Sequence, residues 1–325
     1  MAAKPLVSFL LVNWQATAVT TACVASIRAL RSPKPSEIII FDNESTASSQ
    51  RDLEALGVTV QSDPANLGFG EAYNCLAGSA RGSYLAIINN DAILDPSWLA
   101  AALEGLQRTG AGVVGGLEQL GDGTTPSSET YSIPVFDPTT LLVQQCREVV
   151  PDQAVPYLTA SNLLLKRELF NQVGGFDASF FAYYEDLDFC AKIAAAGASA
   201  WFIGAMKIWH RVNYSSNRHA SRKYYLIFSN RYKIAAKYYP EGRWRRVVLR
   251  NVGIDLVRSP LLILTAAMLG LAAPQFRDKV VLHRSRRRAA WWAATHLGDL
   301  AGIRHTHQQR FGDTAGFYQE LVHAR

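Results

Sequence analysis

Short apolar runs that end in polar clusters constrain this chain more than any other feature. Residues 6–12 (LVSFLLV), 37–41 (EIIIF), 58–61 (VTVQ) and 84–88 (YLAII) have the composition of strands buried on both faces. Between them lie segments with helical spacing. Residues 16–30 stop before Pro33, residues 51–56 are closed by Gly57, residues 70–80 follow, and a fourth helix starts at the Asp95-Pro96 cap and runs to about Arg108. Strand–helix alternation of this kind predicts a mostly parallel, doubly wound sheet flanked by helices. The first run has no small-residue cleavage site after it and reads as a strand, not a signal peptide.

In such sheets ligands bind beyond the carboxyl ends of the strands. The polar clusters fall at those ends: Asn13 after the first run, Asp42 and Asn43 after the second, Asn89, Asn90 and Asp91 after the fourth. Asp42 suits a base or ribose edge, or it is a turn-forming Asx residue. Asp91 suits a divalent cation that also meets a diphosphate, since Mg2+ takes one or two protein carboxylates and fills its shell with phosphate and water. Three polar side chains directly after a buried strand exceed what a turn requires. Asn66 and Gly68, in NLGFG at 66–70, precede a helix; they suit close approach of backbone to a ligand, or a plain loop. No GxGxxG follows the first strand and no GxxxxGK[ST] occurs, which disfavours a dinucleotide fingerprint or a P-loop.

A second dense region is GGFDASFFAYYEDLDFC at 174–190. Asp177, Glu185, Asp186 and Asp188 stand there among six Phe and Tyr residues. Carboxylates in apolar company are costly to desolvate unless a cation or hydrogen-bond donor receives them. The stretch therefore suits a catalytic base or a metal, although acids at a helix start are also favoured by the helix dipole. On a helix from Glu185, Glu185 and Asp188 share neighbouring faces and Asp186 points elsewhere, so one carboxylate can bind an acceptor while another acts as base.

Charge divides the chain. Residues 1–210 carry 12 Lys/Arg against 21 Asp/Glu, and residues 211–325 carry 21 against 6. The basic part implies an anionic partner. An uncharged run of fifteen residues at 259–273 is shorter than the ~20 a spanning helix needs. Asp255 and Arg258 flank it, which favours a helix lying on a membrane or a buried core helix. RSRRR at 284–288 followed by Trp291 and Trp292 suits an anionic leaflet. No nucleic-acid module is present, and nucleic acid is not expected as a partner. Cys23, Cys75, Cys146 and Cys190 form no CxxC pair, so neither zinc nor a disulfide framework is indicated and a reducing, cytosolic setting is expected.

Taken in order, VNW at 12–14, FDNES at 41–45, NLGFGEAYN at 66–74, INND at 88–91, GGFD at 174–177, YYEDLDFC at 183–190 and His210 resemble a family 2 glycosyltransferase of the GT-A fold, nearest the bacterial rhamnosyltransferase-like branch. The resemblance covers roughly residues 5–240. It implies an α/β GT-A catalytic domain at 1–240, and the charge and apolar run beyond it mark 241–325 as a basic, helical region expected to associate with a membrane. It implies that Asp42 recognises the nucleotide base and that Asn89, Asn90 and Asp91 stand where the family has its DxD motif. It further implies Asp91 and His210 as ligands of Mg2+ or Mn2+, and Asp186 as base with Glu185 and Asp188 in support. Asn89 replaces the first Asp of that motif, so metal ligation is not carried over to it. The implied activity is inverting, metal-dependent transfer of a sugar (rhamnose by analogy with the branch) in cell-envelope polysaccharide synthesis. The donor would be a dTDP or UDP sugar, and the acceptor a hydroxyl of a glycan or polyprenyl-linked glycan, at the cytoplasmic face of the cell membrane. A sugar-phosphate nucleotidyltransferase and a non-catalytic nucleotide-sugar or membrane-binding scaffold are the competing readings.

Overall fold

The computed structural model describes residues 5–32, 34–121, 129–211, 219–268, 274–312 and 314–323. In chain order its strands are β1 (Val7–Asn13), β2 (Ser36–Asn43), β3 (Thr59–Asp63), β4 (Tyr84–Ile88), β5 (Ala92–Leu94), β6 (Val113–Leu120), β7 (Thr130–Tyr131), β8 (Pro134–Asp137), β9 (Leu142–Gln145), β10 (Gln153–Val155), β11 (Asn162–Lys166) and β12 (Ala200–His210). Its helices are α1 (Thr17–Arg28), α2 (Ala47–Glu54), α3 (Phe69–Ser79), α4 (Trp98–Thr109), α5 (Arg167–Gln172), α6 (Glu185–Ala195), α7 (Ala220–Tyr238), α8 (Trp244–Met268), α9 (Pro274–Thr295), α10 (Leu297–Phe311) and α11 (Ala315–His323). They form two compact units: Met1–Val135 with Gln144–Ser215, and Phe136–Val143 with Ser216–Arg325.

The first unit is built on a sheet of order β10-β12-β6-β11-β4-β1-β2-β3, with β5 on β12 and β7 on β6. β1 pairs in parallel with β2 and β4, β2 with β3, and β6 with β12. The alternation read from the sequence is present from β1 to β4. The departure is β11, which runs antiparallel between β4 and β6. Val7, Phe9, Leu11, Ile88, Trp98 and Val114 belong to one continuous core. Inserting β11 brings the carboxyl end of β4 beside the start of β11, where Asn89 donates its backbone N–H to the Ser161 carbonyl at 3.1 Å. The pairing of β12 with β6 shifts register between Ile203 and Lys207. Gly116 makes this bulge sterically feasible, because a Cβ there would overlap the Met206 carbonyl.

The second unit packs α7 with α8, α9, α10 and α11. The 240/241 boundary expected from the sequence differs from this division: α7 lies within the helical unit, because its buried face (Phe228, Tyr232, Ala235, Ala236) is apolar at helical spacing and needs helical neighbours. Trp244, Val248, Val252 and Asp255 are buried on one face of α8. Asp255 is fully buried and accepts from Arg231, from Tyr232 Oη at 2.8 Å and from Arg286 Nε at 2.6 Å. This part of α8 is therefore a core helix. Residues 269–273 of the apolar run, and the side chains of 258–277, lie outside the described residues. Among the described residues no helix is long and apolar enough to cross a membrane.

Candidate active site

The ends of β1, β2 and β4 share one hydrogen-bonded network in the first unit. Asn13 Nδ2 donates to Asp42 Oδ1 at 2.6 Å, and Asn13 Oδ1 accepts from Thr20 Oγ1 at 2.8 Å. Asn90 Nδ2 donates to the same Thr20 hydroxyl at 2.8 Å, and Ser49 Oγ donates to Asp42 Oδ2 at 2.6 Å. Asn13 and Asp42 are fully buried, so Asn13 acts as a spacer that fixes Asp42. Thr20 and Ser49 were not singled out in the sequence; each sits in the first turns of a helix that follows a site strand, which is the only signal they carry.

The NLGFG loop is shaped by amides. Asn43 Nδ2 donates to Asn66 Oδ1 at 3.0 Å and to the Gly68 carbonyl at 3.2 Å, while Asn43 Oδ1 takes Leu67 N–H at 2.8 Å. Gly68, at φ 86°, allows a close approach, but to protein: a Cβ there would meet the Phe181 carbonyl, which also accepts Phe69 N–H at 2.6 Å. Its missing side chain docks α3 on the loop before Glu185.

Asp91 and His210 come together from 119 residues apart, with Asp91 Oδ1 at 3.0 Å from His210 Nε2. Asn89 Nδ2 lies 3.2 Å from the same nitrogen. The other ring nitrogen, Nδ1, lies 2.7 Å from Glu118 Oε2. Burial works against a charged ring, but the Glu118 carboxylate, reinforced by Asp91, holds the His210 pKa up at about 10. Burial likewise raises Glu118, and the His210 charge together with hydrogen bonds from Ser161 and Thr159 outweighs it, so its net shift is downward.

The Asp91 oxygen and His210 nitrogen are a donor set that suits Mg2+ or Mn2+. Their 3.0 Å separation is that of a hydrogen bond, so both atoms lie within reach of one shared cation. Among the described residues no group of three His, Cys, Asp or Glu side chains encloses a metal position. Glu118 lies on the opposite ring nitrogen and cannot share an ion with Asp91. The pair thus fits a cation whose shell is completed by a ligand and water.

Asp186 is the second residue of α6 and follows a constrained loop. Phe181, Tyr183 and Tyr184 have φ of 62°, 70° and 72°, each costing about 1–3 kcal/mol in non-glycine residues. Phe176 packs on Phe69, Tyr73, Phe170 and Phe189 and holds the loop from below. Asp186 is half-buried, and burial pushes its pKa up to about 6 against the backbone N–H groups of Leu187 and Ala160. The Leu187 contact is 2.8 Å.

The other two acids of α6 take different places from those expected. Glu185 and Asp188 share a side of α6, as their i, i+3 spacing dictates, and that side is buried. Glu185 is 6% exposed, and burial, then Asp186 and Asp188, drives its carboxyl well above the usual range. Asp188 is fully buried 3.7 Å from Lys192 Nζ, which donates to the Gly175 carbonyl. Both acids are thus buried, with Asp188 beside the Lys192 ammonium and Glu185 held toward its protonated form, and a supporting part in catalysis for either remains a proposal. Asp177 caps the short 3-10 turn that follows it, accepting Ser179 N–H at 2.9 Å.

The fold of the first unit is the GT-A fold of glycosyltransferases. GalNAc-T7, solved with UDP, GalNAc and Mn2+, superposes with a TM-score of 0.63 at 14% identity, covering 99% of this chain and 57% of that one. The mannosyltransferase PcManGT from Pyrobaculum calidifontis, solved in complex with GDP-Man and Mn2+, gives a TM-score of 0.55 at 17% identity over 92% of this chain and 88% of that one. At these identities the likeness is one of fold. The sequence profile of Glycosyl transferase family 2 matches residues 8–176, and the chain belongs to that family. Within it the chain is rhamnosyltransferase-like. It is 27% identical over 218 residues to the N-acetylglucosaminyl-diphospho-decaprenol L-rhamnosyltransferase of Mycobacterium tuberculosis strain ATCC 25618 / H37Rv, covering 58% of this chain and 71% of that protein. It is also 27% identical over 111 residues to Rhamnosyltransferase WbbL of Escherichia coli strain K12, covering 34% of this chain and 39% of that protein.

Proposed function

We propose that this glycosyltransferase inverts the anomeric carbon of a sugar, rhamnose or a related hexose, carried by dTDP or UDP. The acceptor is a hydroxyl of a polyprenyl-diphosphate-linked glycan at an anionic membrane surface on the cytoplasmic side. The observation that carries the reading is the Asp91–His210 pair at 3.0 Å, in a fold whose strand ends also hold Asp42.

Asp42 and Asn13 would receive the base at the ends of β2 and β1; each Asp42 oxygen has one partner and retains a lone pair for a base N–H. Asp91 and His210 would hold a divalent cation, which when bound supplies positive charge to the leaving diphosphate. Asp186 takes the proton from the acceptor hydroxyl as its oxygen bonds the anomeric carbon, and the bond to the nucleoside diphosphate breaks on the opposite face. A base with a pKa of about 6 is ionised at neutral pH and still basic enough to assist.

The lipid-linked acceptor rests on the helical unit. Arg284, Arg287, Arg288 and Trp291 are exposed at i, i+3, i+4 and i+7 along α9, with Trp291 65% exposed. Cations beside an exposed indole suit the interface of an anionic bilayer. The name of the mycobacterial relative specifies a decaprenol-diphosphate acceptor, and the same acceptor class fits here. The test is a thermal-shift panel of nucleotide sugars with Mn2+ or Mg2+, followed by transfer to a polyprenyl-diphospho-N-acetylglucosamine and product anomer assignment by NMR. A donor that binds raises the melting midpoint by mass action. Retention of anomeric configuration refutes inversion, and metal-independent transfer refutes the cation site.

A further inference from the structure

Glu118 is a carboxylate in a strand that is otherwise apolar to that point, VVGGL, and it is only 6% exposed. Three donors converge on it. His210 Nδ1 lies 2.7 Å from Oε2, Thr159 Oγ1 donates to Oε1 at 2.7 Å, and Ser161 Oγ donates to the same oxygen. A carboxylate cannot donate, so Nδ1 must carry the proton in the contact with Glu118. The ring is thereby oriented with Nε2 toward Asp91. The parallel register explains the meeting. Glu118 stands opposite Ile208 and Leu120 opposite His210, so Glu118 and His210 fall on the same face of adjacent strands, one pleat apart.

The hydroxyl contacts extend the reach of this one side chain. Between Thr159 and Ser161 lies Ala160, whose backbone amide favours the ionised form of Asp186. The Ser161 carbonyl takes Asn89 N–H at 3.1 Å, two residues before Asp91. Glu118 therefore clamps a three-residue segment that is hydrogen-bonded to the β4 terminus.

We propose that Glu118 is a positioning residue for the transfer reaction. It fixes His210 so that Nε2 is the nitrogen presented to the cation, and through Thr159 and Ser161 it ties down the segment that receives Asn89 at the β4 terminus. The proposal rests on the reading that Asp91 and His210 bind the cation. Partners of this kind orient metal-ligating imidazoles, and their loss typically costs about 10–100-fold in metal affinity.

The experiment measures free Mn2+ by electron paramagnetic resonance over the full-length protein with UDP present, for wild type, E118Q, H210A and the double variant T159V/S161A. Thermal midpoints are recorded in parallel in EDTA. E118Q is expected to weaken Mn2+ about 10-fold or more, with little change of midpoint in EDTA. T159V/S161A keeps the carboxylate but removes its two hydroxyl tethers, and is expected to weaken Mn2+ about 3–10-fold. It remains informative if E118Q does not fold. A lowered midpoint with wild-type Mn2+ affinity would mean that Glu118 only stabilises the strand, and overturns the proposal. Loss of Mn2+ in H210A but not in either of the other variants overturns the role of Glu118 alone. Failure of the wild type to bind Mn2+ overturns the cation site and this proposal together.

Discussion

Asp186→Asn isolates the chemical step from binding and folding. An Asn side chain keeps an oxygen for the Leu187 N–H that now meets the carboxylate, so the start of α6 should be unaltered. The amide cannot take a proton at working pH. Removing a positioned general base costs roughly 10²–10⁴ in kcat, about 2.7–5.5 kcal/mol of barrier. The wild-type pH profile supplies a second, independent number. Burial raises the Asp186 pKa to about 6, so the carboxyl is protonated below that value and activity is lost as pH falls through it. With that pKa the ionised fraction is roughly 97% at pH 7.5 and about one tenth at pH 5, so kcat should fall about tenfold over that interval. An unperturbed Asp would leave kcat nearly flat there. The assay is single-turnover transfer from radiolabelled nucleotide sugar between pH 5 and 8, with nucleotide binding followed by thermal shift. D186N should lose the acidic limb and nearly all transfer while keeping the ligand-induced shift. Transfer above a tenth of the wild-type rate in D186N, or a wild-type limb near pH 4, would refute Asp186 as a base of raised pKa.

Asp188→Ala leaves Lys192, 3% exposed, without its carboxylate, and should destabilise the first unit by about 3–5 kcal/mol in urea unfolding; a change under 1 kcal/mol would show that water reaches the ammonium. Gly68→Ala forces a Cβ toward the Phe181 carbonyl at φ 86°, so the thermal midpoint should drop by a loss of about 1–3 kcal/mol, with transfer impaired as the loop before Asp186 shifts. R284E/R287E reverses two exposed charges of α9. Co-sedimentation with phosphatidylglycerol vesicles should fall at low salt, the wild type should itself dissociate as salt rises, and equal binding of wild type and variant would remove α9 from the membrane reading.

The sequence showed the first half of the fold because its signals there are local. Apolar runs of strand length, broken by helical spacing and closed by polar residues, are enough to place β1, β2, β4 and α3 within a residue or two. Asn13, Asp42 and Asp91 stood out as candidates for the same reason: each lies at or just beyond the end of a buried strand. What escaped depends on pairing between distant segments. β11 has the same apolar look whether it joins the sheet parallel or antiparallel, and its antiparallel insertion is what brings Ser161 to Asn89. Helical spacing did predict that Glu185 and Asp188 would face differently from Asp186. It could not say which face was the core, and the core turned out to hold the pair rather than the single acid.

Glu118 shows how far a local reading can reach. An acid at the end of VVGGL signals a buried carboxylate that needs donors. Its partners lie 41, 43 and 92 residues away, at Thr159, Ser161 and His210. Only the β6–β12 and β6–β11 pairings bring them within reach. The charge arithmetic then constrains the site. His210 stands between two carboxylates, Asp91 and Glu118, and in the absence of other cations it takes up a proton to balance them. A divalent ion meeting Nε2 must displace that proton, because ligands bind metal in their deprotonated form. The Glu118 contact survives the exchange, since Nδ1–H is not the proton displaced. The same carboxylate can therefore hold the imidazole in one orientation with and without a cation, so the geometry offered to an arriving donor need not be rebuilt at each turnover.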